Sequence, residues 1–475
     1  MSSVIWWIRR DLRLSDNLAL QAALSSPHAV IPVFILDLYL IHSPNAGEKR
    51  LGFLWAGLKQ LDHELHARGS RLIIRSGPPD KALKELITEN DAKLIFAEAD
   101  YSPYALKRDE QVALQLPLQL VGGSSISHPE AILKPNGQPY VVYSPYMRAW
   151  KAIHKPETWL PNPAPTKILS PKKILSEPVP STPVLPQGLD INPGEAAGRE
   201  RLAAFTTGVD PEIYRYAENR NRMDLDGTAV ISPYLRFGML TAREAALAAF
   251  QSQQSAPDTQ RRKSAETWLN ELIWREFYIS ILYHFPDVLK HSFRPALRDI
   301  RWRNDNDEFA AWCQGRTGYP VVDAAMRQLV ATGWMHNRAR MIVASFLVKD
   351  LLIDWRWGER WFMQHLVDGD LAVNNGGWQW TAGTGTDAAP YFRIFNPILQ
   401  GKKFDPQGRF IRKWIPELNP IPLKFIHTPW ELPAEDQKKI GCIIGKDYPV
   451  PIIEHSFARQ RTLVAYKLSK IRSEG

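Results

Sequence analysis

Apolar residues in the first part of the chain fall into short β-branched runs separated by stretches of helical periodicity. Val4–Ile8, Val30–Leu36, Arg71–Arg75, Leu94–Ala97 and Leu118–Val121 read as strands, while Leu51–Arg68 and Pro79–Glu89 carry apolar positions at helical spacing. Strands alternating with helices predict a parallel, doubly wound sheet. No GxGxxG turn follows the first strand, which argues against an ordinary NAD site. From about Lys155 to Pro193 prolines recur every few residues and block both helix continuation and central strands, as a linker over the surface would. After Gly194 the pattern turns helical, with Ser232 and Pro233 placed to begin a helix and Thr241 placed as N-cap of Ala242–Gln251. The expected fold is an N-terminal α/β domain with a doubly wound parallel sheet over residues 1–130, an interdomain linker over 131–198, and a larger all-α domain over 199–475.

A chain of 475 residues with 44% hydrophobic content can bury more than one core. Its formal net charge of +9 favours a polyanionic partner, without separating nucleic acid from an acidic membrane surface. Cys313 and Cys442 are the only cysteines, which rules out a disulfide scaffold or a multi-cysteine metal site and fits a reducing, cytoplasmic setting. Arg9, Arg10, Asp11 and Arg13 follow the first apolar run too closely for a signal-peptide core, and later apolar runs break before membrane-spanning length. Tryptophan is the outlier, with 17 residues, most of them after residue 265. Any one of them is more often a core residue than a functional one.

Four segments concentrate unusual chemistry. Ser264–Phe285 should form one long helix, with Trp268, Glu271, Trp274, Arg275 and Tyr278 on one face and Leu269, Ile273 and Phe277 opposite. An indole, a carboxylate and a guanidinium side by side could grip an extruded base by its face and its edge, although a buried aromatic stripe with an idle ion pair fits equally. In Gly333–Met341, Asn337, Arg340 and Met341 share a helical face with Arg338 beside them, a wall for phosphate or simply a solvated face. His336 is lone, and packing or hydrogen bonding suits it better than a metal. Asp368–Arg393 holds acids, amides, paired glycines and indoles that do little for a helix interior, and such rule-breaking marks functional sites. Thr228–Ser232 places hydroxyls and backbone N–H groups at a helix start, which suits a pyrophosphate or plain N-capping by Ser232.

Taken together, IRRDLRLSDNLAL, GTAVISPYLRFG, WLNELIWREFY, TGYPVVDAAMRQL, GWMHNRARM and DGDLAVNNGGWQW resemble the photolyase/cryptochrome family, in order and over nearly the whole chain. The likeness is greatest to class I cyclobutane pyrimidine dimer photolyases, through TDAAPYFRIFNP at Thr386–Pro397. The resemblance implies an antenna domain followed by a helical domain that holds FAD without a covalent link. It places Tyr216, Thr228, Ala229, Val230, Ile231 and Ser232 at the phosphate and ribityl side, and Trp268, Asn337, Arg340, Asp368, Gly369, Asp370 and Asn374 around the flavin. Ala229 stands where many relatives carry a serine, so a hydroxyl contact is absent there. The flipped lesion falls to Glu271, Trp274, Arg275, Tyr278, Asn337, Met341 and Trp380, with Arg220, Arg338 and Arg393 towards DNA phosphates.

The same resemblance implies the chemistry: excited reduced FAD lends an electron to the dimer, the cyclobutane ring opens, and the electron returns. Glu271 would stabilise charge on the lesion, Asn374 would face the flavin N5, and Trp302, Trp355 and Trp378 would relay electrons from solvent. The implied partner is DNA, single- or double-stranded, bearing a pyrimidine dimer; no metal is implied, and the protein is expected to be a monomer. Two relatives compete. A cryptochrome photoreceptor often carries a long C-terminal extension and, in plants, an acid at the position of Asn374, whereas this chain ends soon after Pro451 with a short basic helix. A six-four photolyase would place a histidine at Asn337. A DNA-binding module without enzymatic activity would be colourless. Arg50 and Asp100 resemble the pocket of an 8-hydroxy-5-deazaflavin antenna, whereas Ala105 replaces the acid of relatives that bind methenyltetrahydrofolate.

Overall fold

The computed structural model describes residues 2–156, 159, 161–171, 173–181 and 191–474. Five strands form one parallel sheet in the order β3-β2-β1-β4-β5, with β1 at Ser3–Ile8, β2 at Ala29–Leu36, β3 at Ile73–Ser76, β4 at Ala92–Ala99 and β5 at Leu118–Gly123. β1 and β2 are buried along their full length, because helices cover both faces of a parallel sheet. Alternate residues of β1 therefore enter two cores. Ile5 and Trp7 pack with Leu83 and Leu86 on the outer side, whereas Val4, Trp6 and Ile8 join an apolar cluster that continues through Phe237 and Trp268 of the helical domain. The doubly wound expectation is met, and the strand order reverses at β1, whose carboxyl end leads into Arg9 and Arg10 beside Asp100 after β4.

Of the two predicted helices of the first domain, the first shifts towards the N-terminus, to Glu48–His66, and the second gains one residue, to Pro79–Asn90. Not all of the segment read as linker is irregular. Tyr143–Ile153 is a helix packed on the long helix of the second domain, held by its own apolar face of Tyr143, Tyr146 and Trp150. Further on, the proline-rich stretch laces along the sheet domain through Val30 N–H to Leu169 O and Glu177 N–H to Ile74 O. Residues 157–158, 160, 172 and 182–190, also read as linker, lie outside the described residues.

The long helix runs from Thr259 to His284, five residues earlier than its apolar pattern begins, because the Asp258 carboxylate accepts from Arg261 N–H and caps it. Thr241 caps Ala242–Gln254 in the same way through Glu244 N–H. The domains are buttoned together at Gly238, which has φ of 63°. A Cβ there would approach Arg10 O closer than 3.0 Å, so only glycine admits the sheet domain this near. Leu12 N–H donates to Phe237 O at 3.1 Å and the Arg13 guanidinium to Gly238 O at 3.1 Å. Among the described residues no helix is long and apolar enough to cross a membrane.

Candidate active site

A cavity of about 860 Å³ opens in the helical domain, large enough for a cofactor and part of a second ligand. One wall is the turn 228–232. Thr228, Ala229, Val230 and Ile231 line it, and Val230 has φ of 50°, a left-handed conformation that costs a β-branched residue strain and turns successive backbone groups towards the cavity. Ser232 does not cap the following helix; Ile231 holds the cap position without a side-chain bond. The Ser232 hydroxyl instead donates to the Asp368 carboxylate at 2.6 Å, and the Arg340 guanidinium donates to the same carboxylate at 2.8 Å. Tyr216 and Trp268 close this side, the indole tilted against Phe205 at 5.2 Å.

Asp368–Arg393 departs from its sequence reading, because Leu371–Ala382 is a regular helix. Asp370 caps it by accepting from Ala372 and Val373 N–H at 3.0 and 3.3 Å, and pairs with Arg10 of the sheet domain at 2.6 Å. Burial alone would raise the Asp370 pKa, but the guanidiniums of Arg10, Arg236 and Arg275 outweigh it and hold the carboxyl well below its usual range. The amides that seem ill-suited to a helix bind neighbouring elements instead of their own backbone. Asn374 donates to Glu359 O at 3.0 Å, Asn375 to the Glu359 carboxylate at 2.9 Å, and Gln379 to Val288 O at 2.9 Å. Gly376 is needed because a Cβ would press into the Tyr278 ring, whereas Gly377 is open on the cavity side. Gly369 and Asn374 also line the cavity, the latter's carbonyl oxygen having no hydrogen-bond partner among the described residues.

The opposite wall is the predicted face of the long helix: Glu271, Trp274, Arg275 and Tyr278 all line the cavity, and Leu269, Ile273 and Phe277 are in the core behind. Glu271 is ion-paired with Arg220. Burial raises the Glu271 pKa and Arg220 opposes the shift without cancelling it. Arg275 donates to Ser124 O at 2.9 Å and pairs with Glu276. Arg338 donates to the Asn221 side chain at 2.6 Å and covers the Phe404 ring, so two of the cations expected to meet DNA, Arg220 and Arg338, already have protein partners, while Arg393 stands exposed on the rim. Asn337, Met341 and Trp380 complete the lining. His336 caps its helix through Arg338 N–H and is pushed down to about 4 by burial, as a packing residue.

Trp378 lines the cavity and is buried; Trp355 is buried in the same apolar cluster, and half-buried Trp302 packs against it. The described ring contacts of Trp378 run to Phe362 at 5.0 Å and to Trp312 at 6.2 Å, an indole not singled out by sequence. In the sheet domain, Arg50 donates to the carbonyls of Met363 and Leu366, and Asp100 accepts from Ser102 N–H beside Arg10. The partly buried Arg236, which feels the charges of Arg10, Asp370, Arg50 and Asp100, sits among them and was missed, though PYLRFG contains it. Tyr143 was missed too, since it lies in the segment read as linker. Among the described residues no cluster of acids, histidines or cysteines has metal-binding geometry.

Comparison with known proteins places this geometry. Residues 4–166 match the family model described as DNA photolyase, and residues 268–468 the one described as the FAD binding domain of DNA photolyase. The chain is 40% identical to the deoxyribodipyrimidine photo-lyase of Synechococcus sp. over 98% of its length and 97% of the relative's. A bacterial class III photolyase from Agrobacterium tumefaciens superposes with a TM-score of 0.91 at 38% identity, covering 99% of this chain and 98% of that one. A Synechocystis cryptochrome follows at 0.88 and 31%, covering 98% and 99%. The chain therefore belongs to the DNA photolyase family, with an α/β sheet domain ahead of a helical FAD-binding domain.

Proposed function

We propose that the protein is a light-dependent carbon–carbon lyase, a deoxyribodipyrimidine photo-lyase that repairs cyclobutane pyrimidine dimers in DNA. The observation that carries this reading is a single cavity whose one wall suits a flavin nucleotide and whose other wall suits an everted pair of bases. The residues fit FAD: the turn 228–232 and Tyr216 would hold the phosphate and ribityl side, and Trp268, Asn337, Arg340, Asp368, Gly369, Asp370 and Asn374 would surround the flavin. When bound and reduced, FAD supplies the photoexcited electron that the ring opening borrows.

The chain's own groups do the rest. Trp274 and Trp380 stack on the pyrimidines, a contact worth about 1–3 kcal/mol per base. A dimer already pairs and stacks poorly, so drawing it out costs less than the few kcal/mol of a normal base, and damage selects itself. Glu271, whose pKa burial raises against the pull of Arg220, is placed to donate from the O–H of its acid form to a pyrimidine carbonyl as negative charge builds there. Arg275, Tyr278, Asn337 and Met341 shape the lesion site, and Arg220, Arg338 and Arg393 meet phosphates. The carbonyl of Asn374, which has no hydrogen-bond partner among the described residues, would face the flavin N5 edge, neutral where plant cryptochromes are acidic. Trp302, Trp355 and Trp378 carry electrons inward from solvent, the first half-buried and the last at the cavity. An amide at 337 supports dimer repair over the six-four reaction.

An antenna of the 8-hydroxy-5-deazaflavin type is favoured over methenyltetrahydrofolate by Arg50 and Asp100, and absorption spectra of chromophores released by denaturation decide between them. We further place the protein in the cytoplasm as a monomer. The central test is illumination of the reduced protein with dimer-containing oligothymidylate: thymine absorbance should return, and a dark-stable dimer after exhaustive illumination would sink the proposal.

A further inference from the structure

Trp274 has one face already taken. Tyr143 lies against it with ring centroids 3.7 Å apart and planes 5° from parallel, and Phe277 meets its edge at 5.7 Å and 79°. Tyr143 is itself fixed at two points. Its phenol donates to Asn270 O at 2.8 Å, one turn before Trp274 on the same helix, and its backbone N–H donates to the Asp387 carboxylate at 3.1 Å. Asp387 lies in the turn that leads to Arg393 and has φ of 41°. Three separately encoded pieces, the segment between the domains, the long helix and the rim turn, thus meet on one phenol ring. Trp274 lines the cavity, whereas Tyr143 sits behind it and is buried.

We propose that Tyr143 is a positioning residue for lesion recognition: it clamps the rear face of Trp274 so that the front face meets the everted pyrimidine in a preset plane. The inference rests on the repair reading above. An unclamped indole on a helix would sample several orientations about its side-chain torsions and would lose that freedom only on binding, which weakens affinity. Undamaged duplex meets only the cationic rim and does not enter the cavity, so its binding is indifferent to the clamp.

The test compares dissociation constants for a duplex with one thymine dimer and for the same duplex undamaged, using the full flavin-loaded protein. Tyr143→Leu should weaken dimer binding roughly tenfold, equivalent to about 1.4 kcal/mol, and leave undamaged binding unchanged. Tyr143→Phe, which keeps the stack and loses the hydroxyl, should stay within about twofold of the parent. In a Trp274→Leu background, Tyr143→Leu should add nothing. Should Tyr143→Leu fail to fold, Tyr143→Met makes the same comparison. Equal discrimination by parent and leucine (or methionine) variants, a phenylalanine variant as weak as leucine, or full additivity with Trp274→Leu would each overturn the inference. A parent that shows no preference for the dimer would instead sink the repair reading on which it stands.

Discussion

Glu271 answers to two opposed influences, burial that favours its neutral acid and Arg220 that favours its anion, and the balance leaves its pKa above the ordinary carboxylate value. A neutral acid is the stronger donor to a carbonyl gaining charge. Glu271→Gln should therefore lower the repair quantum yield about fivefold, the equivalent of about 1 kcal/mol of hydrogen bonding, measured on dimer substrate under single-turnover light. Yield should also fall as pH rises through the raised pKa, and the Gln variant should lose that dependence. Glu359 offers a second titration. Burial pushes it up to about 7 while Asn375 holds its oxygen, so the folded protein keeps a proton that the unfolded chain has lost. That stabilisation is full below about 4.5, the unfolded value, and disappears as pH climbs through 7. Urea unfolding of Glu359→Gln should show a slope flatter than the parent over that window, by ~3 kcal/mol at most.

At the scale of single elements, the long helix was legible because its chemical face and its core face repeat at 3.6 residues, and Asp258 merely moved its start. The helix Leu371–Ala382 was not. Glycines and amides lower its intrinsic propensity, and what restores it is tertiary: the Glu359 and Val288 acceptors and the Tyr278 ring, none of them near in sequence. The same limit hid Tyr143, whose role depends on a ring contributed by another domain segment, whereas the lining residues from Glu271 to Met341 were visible as motifs. Gly358 shows the constraint from the other side. A Cβ there would enter the Trp378 indole closer than 3.0 Å, so Gly358→Ala, which helix propensity alone would favour by up to about 1 kcal/mol, should instead destabilise by ~1–3 kcal/mol. Chemical denaturation reads the sign, and weakened flavin retention should accompany it, since Trp378 lines the cavity.

For the molecule as a whole, the surplus of nine positive charges matters through the rim of the cavity rather than through the fold. If Arg220, Arg338 and Arg393 all reach phosphates as proposed, the logarithm of the binding constant should fall with the logarithm of salt at a slope no steeper than about −2.7, shallower to the extent that Arg220 and Arg338 keep their bonds to Glu271 and Asn221, and Arg393→Ala should reduce that slope by about 1 across all sequences. Arg220 should respond differently, because its removal also frees Glu271.

The seam at Gly238 makes the two halves one machine. Arg10, reaching across it, steadies the carboxylate from which the helix bearing Asn374 and Trp378 springs. A carboxy-terminal half expressed alone would lose that guanidinium and, with it, its grip on the flavin. Deleting the sheet domain would therefore remove a support of the cavity in the other half, and its own role is open to separation by point changes that spare Arg10.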